Sequence, residues 1–162
     1  SLFNTAHTTV SGTNVKNTLT TQADLNETSL EQALIDIAAF TDERGLRVAA
    51  KGVKMIIPSA NQFSAERLLK SQGRTGTADN DINAVASMGM VPQGYRVNNF
   101  LTDSDSWYII TDCPNGMKMF TRAPLTTAME GDFDTGNVRY KARERYVFGF
   151  SDPRGVFGSD AV

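Results

Sequence analysis

The sequence predicts an α+β protein in which helical segments come first and a β-rich half follows. Three observations carry this prediction. Residues 28–38 combine a helix-capping signal with apolar residues at helical spacing. Residues 53–69 read as one strand followed by one helix, and Val138 to Phe150 alternates with a period of two. We therefore expect two main helices and a long strand near the C-terminus.

The first 27 residues are rich in Thr, Asn and Ser and contain only scattered apolar side chains. Such a segment cannot form a core by itself. It is predicted to be an arm or loop that packs against something else.

The first helix is expected from Ser29 to Glu43. Thr28-Ser29-Leu30-Glu31 resembles a capping box with Thr28 as the N-cap, and Gly45 is a suitable C-cap. The helix should bury one apolar face, which includes Leu30, Leu34 and Ile37.

The segments that follow alternate between strand and helix. A strand is predicted from Val53 to Ile57, ended by Pro58, and the second main helix from Ser59 to Ser71. Gln72 to Asn83 is a polar loop by composition, and Ala84 to Met90 is a candidate short helix.

The β-rich half begins at Tyr95. Strands are expected from Tyr95 to Leu101 and from Trp107 to Thr111, with Trp107 in the core or an interface. Pro114-Asn115-Gly116 is a tight-turn signal, so Met117 to Arg122 is predicted to pair back on the preceding strand as a hairpin.

The last strand has two different faces. Six of the seven residues on one face are apolar, and the other face carries a row of cations. At about 3.3 Å per residue the strand would be roughly 40 Å long. The basic face consists of Arg139, Lys141, Arg143 and Arg145.

Two interpretations of this basic face are open. The cations can contact nucleic-acid phosphates. Alternatively, they can pair with acidic residues of a neighbouring strand or subunit, and Glu130, Asp132 and Asp134 are close in sequence. The net charge of -2 favours pairing.

Several kinds of chemistry find no support in the sequence. One cysteine and one histidine, Cys113 and His7, exclude a disulfide framework and a His-cluster metal site. Asp79 to Asn83 resembles the start of a calcium loop, but Ala84 and Met90 occupy the positions that need Gly and Glu. No phosphate-binding glycine loop occurs, and no apolar run approaches the roughly 18 residues that span a bilayer. We expect no catalytic residues, no metal, no cofactor and no membrane partner.

One catalytic alternative remains open. Asp134-Thr135-Gly136 matches the triplet of aspartic proteases, and a homodimer would supply the second aspartate. The acidic, turn-like surroundings favour a turn in which Asp134 accepts backbone hydrogen bonds and Gly136 provides a positive φ.

The order of segments resembles the C-terminal half of tailed-bacteriophage major capsid proteins of the Hong Kong 97-type fold, especially the Mu-like major head subunit branch. The matching segments span nearly the whole chain. They are Leu2 to His7, Ser29 to Phe40, Asp42 to Leu46, Met55 to Ser59, Ala65 to Leu69, Leu101 to Tyr108, Met117 to Arg122 and Phe148 to Gly155.

This resemblance implies a structural protein without enzymatic activity. It implies a subunit that self-assembles into pentamers and hexamers of an icosahedral shell around double-stranded DNA, with scaffold and other head proteins as further partners. It places the protein in the virion capsid, and in the host cytoplasm during assembly. The N-terminal half of such a subunit is not recognisable here.

The resemblance also implies a division of the chain. Residues 1–27 would be an arm or loop, 28–130 mainly the apical-type α/β region, and 131–162 the long strand of the peripheral domain with the C-terminal tail. The loop from Gln72 to Ser87 would then make the contact at the capsomer axis.

Overall fold

The computed structural model describes residues 2–74 and 81–159. A four-stranded sheet, one principal helix on its face and a long hairpin organise the fold. The strands are β1 (His7–Thr8), β2 (Asn14–Val15), β3 (Gly52–Ile57), β4 (Tyr95–Val97), β5 (Trp107–Thr111), β6 (Met117–Gly131), β7 (Val138–Phe150) and β8 (Val156–Ser159), and the helices are α1 (Glu27–Ala38), α2 (Gln62–Lys70) and α3 (Ala84–Ser87).

The central sheet has the strand order β4-β3-β5-β8. β3 and β4 are parallel and are joined through α2 and α3, whereas β5 is antiparallel to both β3 and β8. This arrangement confirms the predicted strand-then-helix unit and the coarse α+β class. β3 and β5 lie within a residue of their predicted bounds.

The core lies between this sheet and α1. Trp107, Ile109 and Met55 are fully buried, and the Trp107 indole donates a hydrogen bond to the carbonyl of Ala23 at 3.0 Å. Gly52 lies so close to α1 that a β-carbon there would come within 3.0 Å of a Leu34 methyl group. The predicted burial of Leu30, Leu34 and Ile37 and the predicted core position of Trp107 are confirmed.

Both predicted ends of the first helix are wrong. The N-cap is Asn26, whose side chain accepts from the Ser29 amide at 2.8 Å, while the Ser29 hydroxyl accepts from the Asn26 amide. Asparagine is as good an N-cap as threonine, so the neighbouring Thr28-to-Glu31 signal was misleading. The helix ends at Ala38, because the chain turns at Phe40 and returns through a short bridge between Thr41 and Arg47. Gly45 belongs to that turn, with a φ of 82°.

The described residues that precede α1 pack against the sheet and α1 of the same chain. Val15, Leu19 and Leu25 join the core, and Lys16 forms an ion pair of 2.8 Å with Asp36 of α1. Phe3 stacks on Tyr108 of β5, with ring centroids 5.1 Å apart. The segment is therefore held by specific contacts although it forms only two short strands.

The remaining predicted elements exist but are shorter. The second helix begins as a 3-10 turn, Ser59–Asn61, and is α-helical only from Gln62 to Lys70. The short helix stops at Ser87, and the strand predicted to reach Leu101 stops at Val97. Part of the Gln72-to-Asn83 loop, residues 75–80, lies outside the described residues, and with it Asp79 and Asn80 of the calcium-like stretch.

The predicted pairing of Met117 to Arg122 with β5 is wrong. These residues begin β6, which pairs with β7, while β5 uses both of its edges for β3 and β8. The tight turn at Asn115, with a φ of 63°, is present but redirects the chain away from the sheet. A turn signal fixes where a chain bends, and it does not decide which strand edge is free.

Candidate functional site: the long hairpin

β6 and β7 form a two-stranded antiparallel hairpin that pairs with no other described strand. The register runs from Met117 opposite Phe150 at the root to Gly131 opposite Val138 near the tip, with irregularities between Thr121 and Thr126. At about 3.3 Å per residue, the 13 residues of β7 span roughly 40 Å. The length and bounds of the predicted last strand are thus confirmed.

The turn at the tip contains the protease-like triplet. The Asp132 carboxylate accepts hydrogen bonds from the Asp134 amide at 3.3 Å and from the Thr135 hydroxyl at 2.8 Å. Gly136 has a φ of 69°, as the turn interpretation requires. Asp132 rather than Asp134 is the hydrogen-bond acceptor, which corrects that part of the expectation. An exposed turn lacks the apolar strand ends that a proton-sharing aspartate pair needs.

One face of the hairpin is apolar and open to solvent. Its large side chains are between 43% and 80% exposed, and Tyr146 and Phe148 contact each other edge to face. The alternation predicted two different faces, and the described residues leave the apolar one largely exposed. The apolar face consists of Met117, Met119, Met129, Val138, Tyr140, Tyr146, Phe148 and Phe150.

The opposite face carries the four predicted basic residues. Direct cross-strand partners point to the same side of a sheet. Lys141, Arg143 and Arg145 lie opposite small uncharged residues, which are Ala128, Thr126 and Ala123. The structure therefore places these cations together in one row with no acidic residue directly across from them.

One of the four basic residues has an acidic neighbour in the same chain. Arg139 lies opposite Glu130 and its guanidinium is 3.7 Å from the Asp132 carboxylate. Within the described residues, Lys141, Arg143 and Arg145 have no carboxylate within 4.0 Å. For these three cations, pairing with acidic residues of a neighbouring subunit stays a prediction.

The root of the hairpin is attached tightly to the sheet domain. The amides of Ser151 and Asp152 donate to the carbonyls of Gly116 and Asn115 at 3.2 and 2.9 Å. A β-carbon built on Gly155 would lie 2.3 Å from the Gly116 α-carbon. The two chain segments at the root can approach this closely only because both residues are glycine.

Two other ionisable groups have shifted pKa values that their neighbours explain. Burial raises the pKa of the Cys113 thiol, so the reactive thiolate is disfavoured. A hydrogen bond from Lys70 lowers the pKa of the Glu66 carboxyl, in an exposed pair on α2. Among the described residues, no three His, Cys, Asp or Glu side chains are grouped to hold a metal. No described helix has the length and apolar character needed to cross a membrane.

Comparison with models of known protein families gives a match over almost the whole chain. A family model described as "Phage capsid protein" matches residues 2–159. The chain belongs to this family of phage capsid proteins, and it is therefore a structural component of a virion. No curated protein matches the sequence.

A solved structure described as a virus-like particle from Pyrococcus furiosus is similar to this chain at 13% identity and a TM-score of 0.48. The similarity covers 88% of this chain and 55% of that one, so this chain spans just over half of that chain's length.

The basic residues were predictable from the sequence, but the strand that pairs with β7 was not. The alternation predicted two faces of the strand, and the Asp134-Thr135-Gly136 triplet predicted a turn. The signal for the hairpin was present, because Asp134 to Asn137 separates two β-prone segments. The preceding turn signal, at Pro114 to Gly116, favoured a different hairpin.

Proposed function

We propose that this chain is the shell-building subunit of a phage or prophage head and self-assembles through its long hairpin. The single observation that carries the proposal is a hairpin of 15- and 13-residue strands with almost every side chain exposed on both faces. An isolated two-stranded hairpin is marginally stable in water. Its apolar face therefore requires a cover, and assembly with other copies supplies one.

The size of the exposed surface supports this role. Eight large side chains, each exposing on the order of 100 Å², present roughly 800 Å². One partner contributes about that area to a standard protein interface. Exposed apolar patches of this size mark interaction sites on soluble proteins.

More detailed proposals rest on the resemblance of the sequence to major capsid proteins. We place the chain in the Hong Kong 97-type fold and in its Mu-like branch, with pentamers and hexamers that form an icosahedral shell around double-stranded DNA. Scaffold and other head proteins are further proposed partners, and the host cytoplasm is the proposed place of assembly. The proposed division is an arm (1–27), an apical-type region (28–130) and a peripheral-type strand and tail (131–162), with the loop from Gln72 to Ser87 at the capsomer axis.

Sedimentation velocity across a concentration series, combined with negative-stain microscopy of the fastest species, tests this function. We expect oligomers whose mass grows with concentration, and ring-like or shell-like particles in the micrographs. A double variant that removes two exposed aromatic side chains of the apolar face, Tyr140→Ser with Phe148→Ser, should shift association to at least about tenfold higher concentration. Phe100→Ser, which removes an aromatic ring that is 92% exposed on the sheet domain, is the matched control. A chain that remains monomeric at all concentrations contradicts the proposal.

A further inference from the structure

The hairpin carries opposite charges at two separate places. The acidic tip, residues 130–134, contains Glu130, Asp132 and Asp134, together with Phe133, whose side chain is 100% exposed. The basic flank consists of Lys141, Arg143 and Arg145 on one face of β7. The two places lie at different distances along the same hairpin, and Glu130 lies on the same face as the flank.

The acidic tip forms no ion pair with the basic flank of the same chain among the described residues. Arg139 is the cation nearest the turn, and it already contacts Asp132 at 3.7 Å. The flank begins two residues farther along an extended strand and recedes from the tip by about 6.6 Å with every second residue. Its charges therefore remain available for a group on another molecule.

The flank has a shape as well as a charge. Ala128, Thr126 and Ala123 lie directly across from the three cations, with a register shift between Thr126 and Ala123, and form a track of small side chains beside them. An aromatic ring can lie in such a track while carboxylates reach the cations. Buried aromatic anchors beside arginine are typical of the residues that dominate interface energies.

We propose that the acidic tip of one copy docks on the basic flank of a neighbouring copy, with Phe133 in the track and Glu130 and Asp134 against the cations. This inference rests on the proposed function and names the contact through which copies meet. The two surfaces differ, so the contact is heterologous and continues from copy to copy until a ring closes.

A second copy fits the flank better than nucleic acid does. The acidic tip lies within about one or two Debye lengths of the flank at physiological salt, and it would repel a phosphate backbone laid along the hairpin. Phosphate binding also leaves the fully exposed Phe133 unexplained. Docking of the tip uses both features.

Charge reversal tests the contact. The tip variant is Glu130→Lys with Asp134→Lys, since neither carboxylate accepts a hydrogen bond among the described residues. The flank variant is Lys141→Glu with Arg143→Glu and Arg145→Glu.

Each variant alone should associate at least about tenfold more weakly than the unmodified chain at low salt. An equimolar mixture should recover association, because each copy's reversed surface then meets a complementary one. Glu43→Lys with Asp105→Lys, which reverses two exposed acids elsewhere, is the control and should change nothing.

Each other outcome overturns the inference in a recognisable way. If the unmodified chain associates and the variants do so equally well, the tip–flank contact is wrong while self-assembly stands. If the variants weaken but the mixture does not recover, the charges act outside a tip–flank pair. If the flank variant associates normally but loses retention of duplex DNA, the flank binds phosphate. A strictly monomeric unmodified chain overturns both the contact and the proposed function. Matching circular-dichroism spectra and unfolding midpoints exclude misfolding as the cause.

Discussion

At the residue scale, the fully buried Asn17 side chain holds the N-terminal segment on the domain. Its amide group donates to the carbonyls of Leu2 and Pro153 at 2.8 and 3.0 Å, so its oxygen faces the Asn4 amide and His7. The His7 Nε2 lies 3.2 Å from the Leu2 carbonyl and 3.0 Å from the Asn17 oxygen. Both neighbours are acceptors, so this nitrogen carries a proton and donates. The single histidine therefore has a structural part in anchoring the arm.

The packing between α1 and the sheet leads to the first stability prediction. Leu34 is 5% exposed and lies against Gly52 of β3. Leu34→Ala should lower the free energy of unfolding by about 2–5 kcal/mol, because it removes buried methyl groups and leaves a cavity. Urea denaturation monitored by circular dichroism measures the loss. Ile35→Ala, at the next position but 61% exposed, should cost much less, and equal losses would show that α1 packs differently.

Residue-level burial on α1 was predictable from sequence, whereas the anchoring of the arm was not. Leu30, Leu34 and Ile37 recur at helical spacing, so their common burial follows from geometry alone. Asn17 stands in a polar stretch, and its partners Leu2 and Pro153 are 15 and 136 residues away in the chain. Contacts between residues so far apart leave no periodic trace in the sequence.

At the element scale, the hairpin depends on a root in which two glycines touch. Gly116 precedes β6 and Gly155 follows β7, and no side chain fits between their backbones. Gly155 directly precedes β8, so the backbone contact holds the start of β6 next to the start of β8. The hairpin is thus held at a fixed position on the domain, although its strands pair with no other strand in the part of the chain that the structure describes.

Gly155→Ala tests this attachment. The added methyl group would meet backbone atoms at 2.3 Å, so the root must separate, and we expect a loss of about 1–3 kcal/mol or more. Gly131→Ala is the matched control, because a β-carbon there meets nothing within 4 Å and the residue lies in β6. Thermal unfolding of the two variants side by side provides the measurement. If Gly155→Ala were as stable as the control, the close approach would not be a feature of the folded protein.

The alternating pattern of β7 predicted some features of the hairpin but not others. The alternation of Val138 to Phe150 fixed the bounds of β7 and separated the cations from the aromatics. It did not reveal that β6 pairs with β7. That pairing depends on β3 and β8 occupying both edges of β5, so that β6 cannot pair there. Nor could it reveal that the apolar face is open, since an alternating pattern is the same whatever covers it.

At the scale of the whole molecule, a compact sheet domain carries a protruding hairpin with two contrasting faces. The sheet domain buries its own core around Trp107 and Ile57, whereas the hairpin exposes Tyr140, Phe148 and their neighbours. This division suits a subunit that folds by itself but is completed by contacts with other copies. In the proposed assembly, other copies cover the apolar face, and the acidic tip of one copy contacts the basic flank of the next.

Hydrogen exchange measured on the dilute chain and on the associated chain tests this account most directly. In the associated form, peptides from 117–150 should exchange much more slowly, because neighbouring copies cover the hairpin and suppress its opening. Peptides from β5, which is already buried, should exchange equally in both forms and are the internal control. Hairpin amides that exchange as fast in the associated chain as in the dilute chain would contradict the claim that copies assemble through the hairpin.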